Sequence, residues 1–327
     1  MKDNKKVIVG IGSALVDILI HEDDNFLKTA GTLKGGMNYV DSTHIEGVMA
    51  RAKGKITVVP GGSACNTIIG IGRLGANARF IGKIGNDEFG NIFQAGLKNN
   101  NVESVIFKSA SPTGRVLSII TPDAQRSMLT YLGAASDARG DEITDRCFED
   151  AAIVHVEGYL VYNEDLIMAA LKGAKRAGSL ISLDLSSFTV VEDKKPLLEK
   201  IVDGFVDILI ANEDEARIFT GYSDEKDALK SLSEKADIAV LKVGNRGSFI
   251  SRGGEVVSVK PTGVVTSAVD TTGAGDLWAS GFLFGLVNDY PLEECGKIAS
   301  MCGYEVCQVI GASIPEDGWS RIRKLLK

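Results

Sequence analysis

No stretch of about 18 apolar residues, the length a bilayer-spanning helix needs, occurs in this 327-residue chain. Lys5-Lys6 runs straight into Val7-Ile8-Val9 without the apolar segment and cleavage site of a secretory leader, so a cytoplasmic protein is expected. Histidine is scarce: His21, His44 and His155 are scattered, and they make no zinc cage. Five cysteines, Cys65, Cys147, Cys295, Cys302 and Cys307, are odd in number and form no Cys-x-x-Cys pair, so buried thiols are expected rather than a disulfide framework. Basic charge is also short. With 36 Lys and Arg against 43 Asp and Glu, the net charge of -7 argues against affinity for nucleic acid or anionic membrane, and small molecules become the expected partners. Gly-Lys-Ser and Gly-Lys-Thr are missing, which excludes a Walker-type phosphate loop. Gly-x-Ser-x-Gly is missing too, so no nucleophile elbow supports a hydrolase.

What is present suffices for a sizeable core, with 44% hydrophobic residues and no low-complexity tract or linker rich in Pro, Gly and Ser. Short apolar runs alternate with segments of helical periodicity, the pattern of parallel strands joined by crossover helices. Strands are predicted at Val7 to Ile11, Ile56 to Val59, Ala78 to Ile81, Ile153 to Glu157, Leu180 to Asp184, Asp207 to Ala211 and Ile238 to Val243. Helices are predicted at Asp87 to Asn99, Glu164 to Ala177, Asn212 to Phe219, Ala274 to Val287, Leu292 to the Gly311 turn, and Ile314 to Leu326. Two regions break the rhythm, Leu15 to Val40 and Thr113 to Tyr131; the second reads as a β-hairpin around Pro122-Asp123-Ala124-Gln125. Extra strands without intervening helices, within about 13–45 and 111–131, suggest a small sheet acting as a lid on a single domain spanning 1–327.

The most informative segment is Asp270-Thr271-Thr272-Gly273-Ala274-Gly275-Asp276, followed by the small and apolar run Leu277 to Phe282. It reads as a glycine-rich turn feeding a helix. Small residues let backbone N–H groups at a helix start approach an anion, and the macrodipole adds to the attraction. A carboxylate beside such donors meets both needs of phosphoryl transfer to an alcohol: the donors stabilise charge on the transferred group, and the acid accepts the proton. Asp276 is therefore the candidate base. An ordinary first-turn charge, with the glycines merely turning the chain, is the plainer alternative.

A second glycine-rich stretch, Pro60-Gly61-Gly62-Ser63-Ala64-Cys65-Asn66-Thr67, follows a strand and opens a helix. Gly61 and Gly62 leave room for a ligand against the backbone, while Asn66 offers a donor and an acceptor to vicinal hydroxyls; a plain turn is the alternative. Asp17 sits in the apolar run Leu15-Val16-Asp17-Ile18-Leu19, where a carboxylate is costly unless it meets a polar ligand such as a sugar diol or faces outward from an alternating strand. Asn212-Glu213-Asp214-Glu215 follows a strand at the end where α/β sheets place ligands, and could hold Mg²⁺ through water or simply begin a helix. Lys242 to Ser248 is a further glycine turn, or a hairpin. Gly70-Ile71-Gly72-Arg73-Leu74-Gly75 has dinucleotide-binding spacing but falls at the end of a predicted helix, not between strand and helix.

Together, Gly61 to Asn66 and Asp270 to Asp276 resemble the two signatures of the ribokinase or PfkB carbohydrate-kinase family, over almost the whole chain. Gly12 to Asp17, Gln125-Arg126-Ser127-Met128 and Glu157-Gly158-Tyr159-Leu160 lean toward the adenosine kinases of that family. The resemblance implies a ribokinase-like three-layer α/β/α core, with a central, mostly parallel sheet of about nine strands and a small β-lid. It implies ATP as co-substrate with Mg²⁺, Asp276 as base, and the backbone of Gly273, Ala274 and Gly275 as anion hole. Asp17, Gly61, Gly62 and Asn66 match positions that bind acceptor hydroxyls. Ser13 stands where adenosine kinases commonly carry Asn, and Tyr159, Leu160 or Phe188 could help form the flat apolar slot that an adenine base needs. Asn212 and Glu215 match an Asn-x-x-Glu element tied to Mg²⁺ and phosphate. Lys242, Gly244 and Gly247 fall in the nucleotide-binding turn, with Lys242 where the family more often has Thr. Arg126 matches an arginine that swings toward the transferred phosphate, a lid salt bridge being the alternative. Asp270 and the Gly311-Ala312-Ser313 turn lie where some relatives bind K⁺. The expected activity is ATP-dependent phosphorylation of a 5′-type hydroxyl, adenosine first, as monomer or homodimer. A kinase of free ribose or fructose, another nucleoside kinase, and a catalytically silent nucleoside sensor are the rivals.

Overall fold

Along the first strand Ile8 enters one apolar core and Val9 another, and Ile153 and Val154 divide in the same way, because successive side chains of a strand point to opposite faces and both faces are covered. The computed structural model describes residues 6–123, 125–262 and 268–326, so Lys5 and Ala124 of the expected turn lie outside the described residues. In chain order, β1 (Val7–Ile11), β2 (Leu15–His21), α1 (Asp24–Thr29), β3 (Met37–Tyr39), α2 (Ser42–Met49) and β4 (Ile56–Gly61) come first. They lead into α3 (Ser63–Leu74), β5 (Asn77–Gly85), α4 (Glu88–Asn99), β6 (Val102–Ser109), β7 (Gly114–Ile120) and β8 (Arg126–Tyr131). β9 (Ala151–Glu157), α5 (Glu164–Ala177), β10 (Leu180–Asp184), α6 (Phe188–Phe205), β11 (Ile208–Asn212), α7 (Glu213–Thr220) and α8 (Glu225–Ser233) follow. The chain closes with β12 (Ile238–Lys242), β13 (Ser248–Arg252), β14 (Glu255–Val259), α9 (Ala274–Val287), α10 (Leu292–Val306) and α11 (Glu316–Arg323).

Nine of these strands form one sheet in the order β14-β13-β12-β11-β10-β9-β1-β5-β6, parallel from β12 to β6, with β13 and β14 antiparallel at one edge. Helices α3, α9 and α10 cover one face through Ile68, Ile71, Phe282 and Ala299. Helices α5 to α8 cover the other through Ile167, Leu171, Val202, Phe219 and Leu229. The expected three layers are present.

Five strands make a second sheet in the order β3-β8-β7-β2-β4. Its strands sort their side chains by alternation. Val16, Ile18, Ile20, Leu117, Ile119 and Leu129 join the core under α1 and α2, while Leu15, Asp17, Val116, Ser118, Met128 and Thr130, on the alternate positions, face a cavity. Ile56 to Val59, expected among the strands of the main rhythm, instead forms β4, which pairs antiparallel with β2 and belongs to the small sheet, outside the two expected inserted segments. Apolarity alone does not report which partner a short strand finds. The edge strand β6 and the β13–β14 hairpin go beyond the predicted strands; the exposed positions along β6 and β14 give them no continuous apolar run.

The dinucleotide-like glycines have a packing role. A Cβ at Gly70 would collide with Ser280 of α9, and Gly75 ends α3 with φ of 97°, a conformation glycine adopts without strain.

Candidate active site

Gly62 and Gly273 precede α3 and α9 with φ of 96° and 71°, and these two left-handed turns bring the starts of the helices together. Asp276, in the first turn of α9, accepts hydrogen bonds from Ser63 Oγ at 2.7 Å and Asn66 Nδ2 at 3.0 Å. Thr67 Oγ1 donates to the Asp276 carbonyl at 3.1 Å. The two glycine-rich segments, about 210 positions apart, thus form one constellation. Burial pushes the Asp276 carboxyl up and Asp184 adds to this; the Ser63 and Asn66 donors and Lys242 oppose it, and the balance is raised. Such a group is a better proton acceptor than a free aspartate.

At the helix start the Ala274 amide donates to Thr271 O at 3.1 Å, so it points into the turn. The Gly275 and Asp276 amides, which precede the first intrahelical bonds, meet no acceptor among the described residues. Of the expected anion hole, Gly275 is therefore available and Ala274 is engaged, with Asp276 N–H as an additional donor. Asp270 braces this turn. Its Oδ1 accepts from Thr272 N at 3.0 Å and Thr272 Oγ1 at 2.7 Å, and its Oδ2 from Gly311 N at 2.9 Å, so both carboxylate oxygens at the position considered for K⁺ already have donors.

Asp276 lines a cavity of about 690 Å³ between the two sheets. Ser13, Asp17, Gly62, Asn66, Tyr159, Arg126 and Gly273 of the expected site residues share its wall. Gly61 stands just behind, where a Cβ would collide with the Asp17 carboxyl. Burial raises the Asp17 pKa to about 6, against the pull of Arg126 and with the help of Asp276. Arg126 donates to Met128 Sδ at 3.2 Å and pairs with no carboxylate among the described residues, so the lid salt bridge weighed for it is absent there. Met37, Tyr39, Met128, Leu132 and Tyr162 add a largely apolar and aromatic wall.

Asn212, Glu215, Lys242, Gly244 and Gly247 do not line this cavity; they stand beside it, at the ends of β11 and β12 where Asn212 pairs with Lys242. Asn212 caps α7. Its Oδ1 accepts from Glu215 N at 2.9 Å, and its N and Nδ2 donate to Glu215 Oε2 and Oε1 at 2.8 and 2.7 Å. Burial raises the Glu215 carboxyl, with Asp184 adding. Lys242 Nζ donates to Asp184 Oδ2 at 2.8 Å. Burial disfavours its charge, but Asp184, Glu215 and Asp276 outweigh that and hold its pKa above the ordinary lysine value. With Asn212 and Glu215 bonded to each other and an ammonium beside the acids, this set does not fit a Mg²⁺ ion held by the protein, and among the described residues no three His, Cys, Asp or Glu cluster around a metal position. Gly244 and Gly247, with φ of 56° and 103°, turn β12 into β13.

Sequence reasoning misses three groups. Ser63 lies inside the glycine-rich motif, where nothing local marks it as a partner of Asp276. Glu157, 1% exposed at the end of β9, accepts from Ser13 N at 2.8 Å and Ala64 N at 2.9 Å and so ties β1's exit to the start of α3. Asp184 ends β10 and holds Lys242. Both acids sit at carboxyl ends of parallel strands, the place where such sheets bind ligands, and that position is a usable signal.

The profile of the pfkB family carbohydrate kinases matches residues 37–318. This chain belongs to the pfkB carbohydrate kinase family. A PfkB kinase is a phosphotransferase, and membership implies ATP as donor and a sugar or nucleoside as acceptor. Among curated relatives, the chain is similar to "Probable fructokinase-4" of Arabidopsis thaliana, 30% identical over 290 residues that cover 82% of this chain and 87% of that protein. Among solved structures, it is similar to an adenosine kinase from Sinorhizobium meliloti, with 32% identity, a TM-score of 0.88 and coverage of 99% of this chain and 100% of that one. A probable sugar kinase from Rhizobium etli CFN 42 is similar to the same degree, with 31% identity, a TM-score of 0.88 and 99% of each chain covered. No helix of the described residues in this PfkB member is long and apolar enough to cross a membrane.

Proposed function

We propose that this kinase transfers the γ-phosphoryl group of ATP to the primary, 5′-type hydroxyl of a ribose-containing nucleoside, adenosine first. The observation that carries the reading is the Asp276 carboxylate, held by Ser63 and Asn66 at the wall of a cavity that Asp17 also lines. Asp17, Asn66 and the backbone at Gly62 orient the sugar hydroxyls, and Gly61 leaves the Asp17 carboxyl its room. Asp276 takes the proton as the hydroxyl oxygen attacks the γ-phosphorus and the bond to the bridging oxygen breaks, releasing ADP. The amides of Gly273, Gly275 and Asp276, with Arg126 from the small sheet, stabilise charge on the transferred group. The donor nucleotide lies on the other side of the α9 start, against Lys242 and the Gly244–Gly247 turn, with Asn212 and Glu215 shaping its floor. The small sheet acts as a lid that excludes water.

A flat base explains the apolar wall of Met37, Tyr39, Met128, Tyr159 and Tyr162 better than a bare sugar does, since a sugar offers hydroxyls on every side. Phosphorylation of a free sugar is a second reading, favoured by the fructokinase name of the Arabidopsis relative. A coupled ADP-release assay over adenosine, inosine, ribose and fructose separates the two. Adenosine is expected to lead in kcat/KM, and a lead for fructose or ribose replaces the nucleoside reading. Asp276→Asn is expected to lower turnover by ~10²–10⁴-fold with acceptor binding largely kept. Near-normal turnover in that variant removes Asp276 as the base.

A further inference from the structure

Lys242 ends β12 with its side chain only 14% exposed, and Asp184, its partner, is 8% exposed. Three carboxylates from three different elements act on this one ammonium: Asp184 from β10, Glu215 from α7 and Asp276 from α9. A buried pair of this kind adds little to stability compared with apolar residues of the same size, so its presence calls for another reason. An ammonium has three N–H donors. One goes to Asp184 Oδ2 at 2.8 Å, and no other acceptor for Lys242 occurs among the described residues. The ammonium also lies against the helix start: a Cβ on Gly275 would stand 3.1 Å from Nζ. Glycine at that position is what leaves the ammonium this room. The unused Lys242 donors and the free Gly275 and Asp276 amides are therefore neighbours, and the ligand matched to several clustered donors with one fixed positive charge is a terminal phosphate.

We infer that Lys242 is the resident cation of the donor side. It contacts a phosphoryl oxygen of the nucleotide directly, Asp184 is the positioning residue that aims it, and the acids around it hold no divalent ion of their own. This rests on the phosphotransfer reading above and deepens it. Divalent metal then enters only with the nucleotide.

Two binding measurements that need no turnover test the inference. Mn²⁺ added to the nucleotide-free protein and followed by electron paramagnetic resonance is expected to find no stoichiometric site in the wild type. ATP affinity, by calorimetry without acceptor, is expected to fall about tenfold or more in Lys242→Met, with Lys242→Arg intermediate. A stoichiometric Mn²⁺ site in the wild type that Asp184→Asn abolishes, or ATP affinity within about twofold of wild type in a folded Lys242→Met, overturns the inference. Should Lys242→Met fail to fold because Asp184 is left unpaired, the double variant Lys242→Met/Asp184→Asn carries the ATP measurement and the wild type carries the Mn²⁺ one. Failure to phosphorylate any acceptor, with both binding results as expected, supports this inference and defeats the nucleoside kinase reading alone.

Discussion

Strand alternation assigns a carboxylate within an apolar run to the face its neighbours leave, and Asp17 shows the consequence. Its neighbours Val16 and Ile18 enter the core, so Asp17 points to the opposite face, and that face lines the cavity. Burial there raises its pKa to about 6. The effects on activity and on stability run in opposite directions. The ionised form is the one that accepts hydrogen bonds from two hydroxyls, so kcat/KM for the acceptor is expected to fall as pH drops through about 6; a profile flat from pH 5 to 8 would count against Asp17 as a hydroxyl ligand. For stability the sign reverses. The unfolded carboxyl titrates near 3.8, so between there and about 6 the folded protein binds the extra proton, and stability falls as pH rises through that window. Asp17→Asn, which carries no charge, is accordingly expected to be more stable than wild type at pH 7, by on the order of 1–2 kcal/mol once partial exposure is allowed for, while acceptor binding weakens. Denaturant titrations at pH 4 and pH 7 check this, with the gain expected only at the higher pH. Glu157 is harder to find. It sits at the end of a wholly buried strand, and only the distant amides of Ser13 and Ala64 reveal its purpose.

At the scale of elements, the site is two helix starts facing each other. Each is preceded by a glycine in the left-handed region, and each first turn presents its polar groups to the other. Glycine-rich turns leading into helices are readable from sequence, because few other residues tolerate that backbone. Their mutual approach is not, since it depends on α3 and α9 packing closely where Gly70 meets Ser280. Gly62→Ala tests the coupling. At φ of 96° an alanine is strained, and its Cβ would collide with the Ser13 carbonyl. The expected cost is about 1–3 kcal/mol of stability, read from the shift in thermal midpoint. Moving Ser63 and Asn66 away from Asp276 is also expected to lower kcat by about tenfold or more. A variant that loses stability but keeps wild-type kcat would show that the α3 start only supports the fold.

For the whole molecule, the decisive feature is that one face of the small sheet belongs to the cavity that Asp276 lines. Asp17 of β2, Met37 and Tyr39 of β3, Val116 and Ser118 of β7, and Arg126, Met128 and Thr130 of β8 all line it. Tyr39 is 60% exposed and Met37 46%, large side chains at an edge strand that a bound base would cover. Hydrogen exchange is therefore expected to slow in Met37–Tyr39 and in Arg126–Tyr131 when adenosine binds, and to slow further when a non-hydrolysable ATP analogue is added. Exchange in these segments that ignores both ligands would leave the small sheet as a fixed wall rather than a lid.

Sequence by itself determined the layered α/β architecture, the glycine-rich helix starts and the candidate proton acceptor, because each depends on local chemistry: strand alternation, backbone freedom at glycine, and an acid in a first helical turn. Tertiary structure alone decided which sheet β4 joins, that Ser63 and Asn66 hold Asp276, and that Lys242 stands among Asp184, Glu215 and Asp276. Those are contacts between segments tens to hundreds of residues apart. They are set by which faces pack together once the core forms, and no short window of residues carries that information.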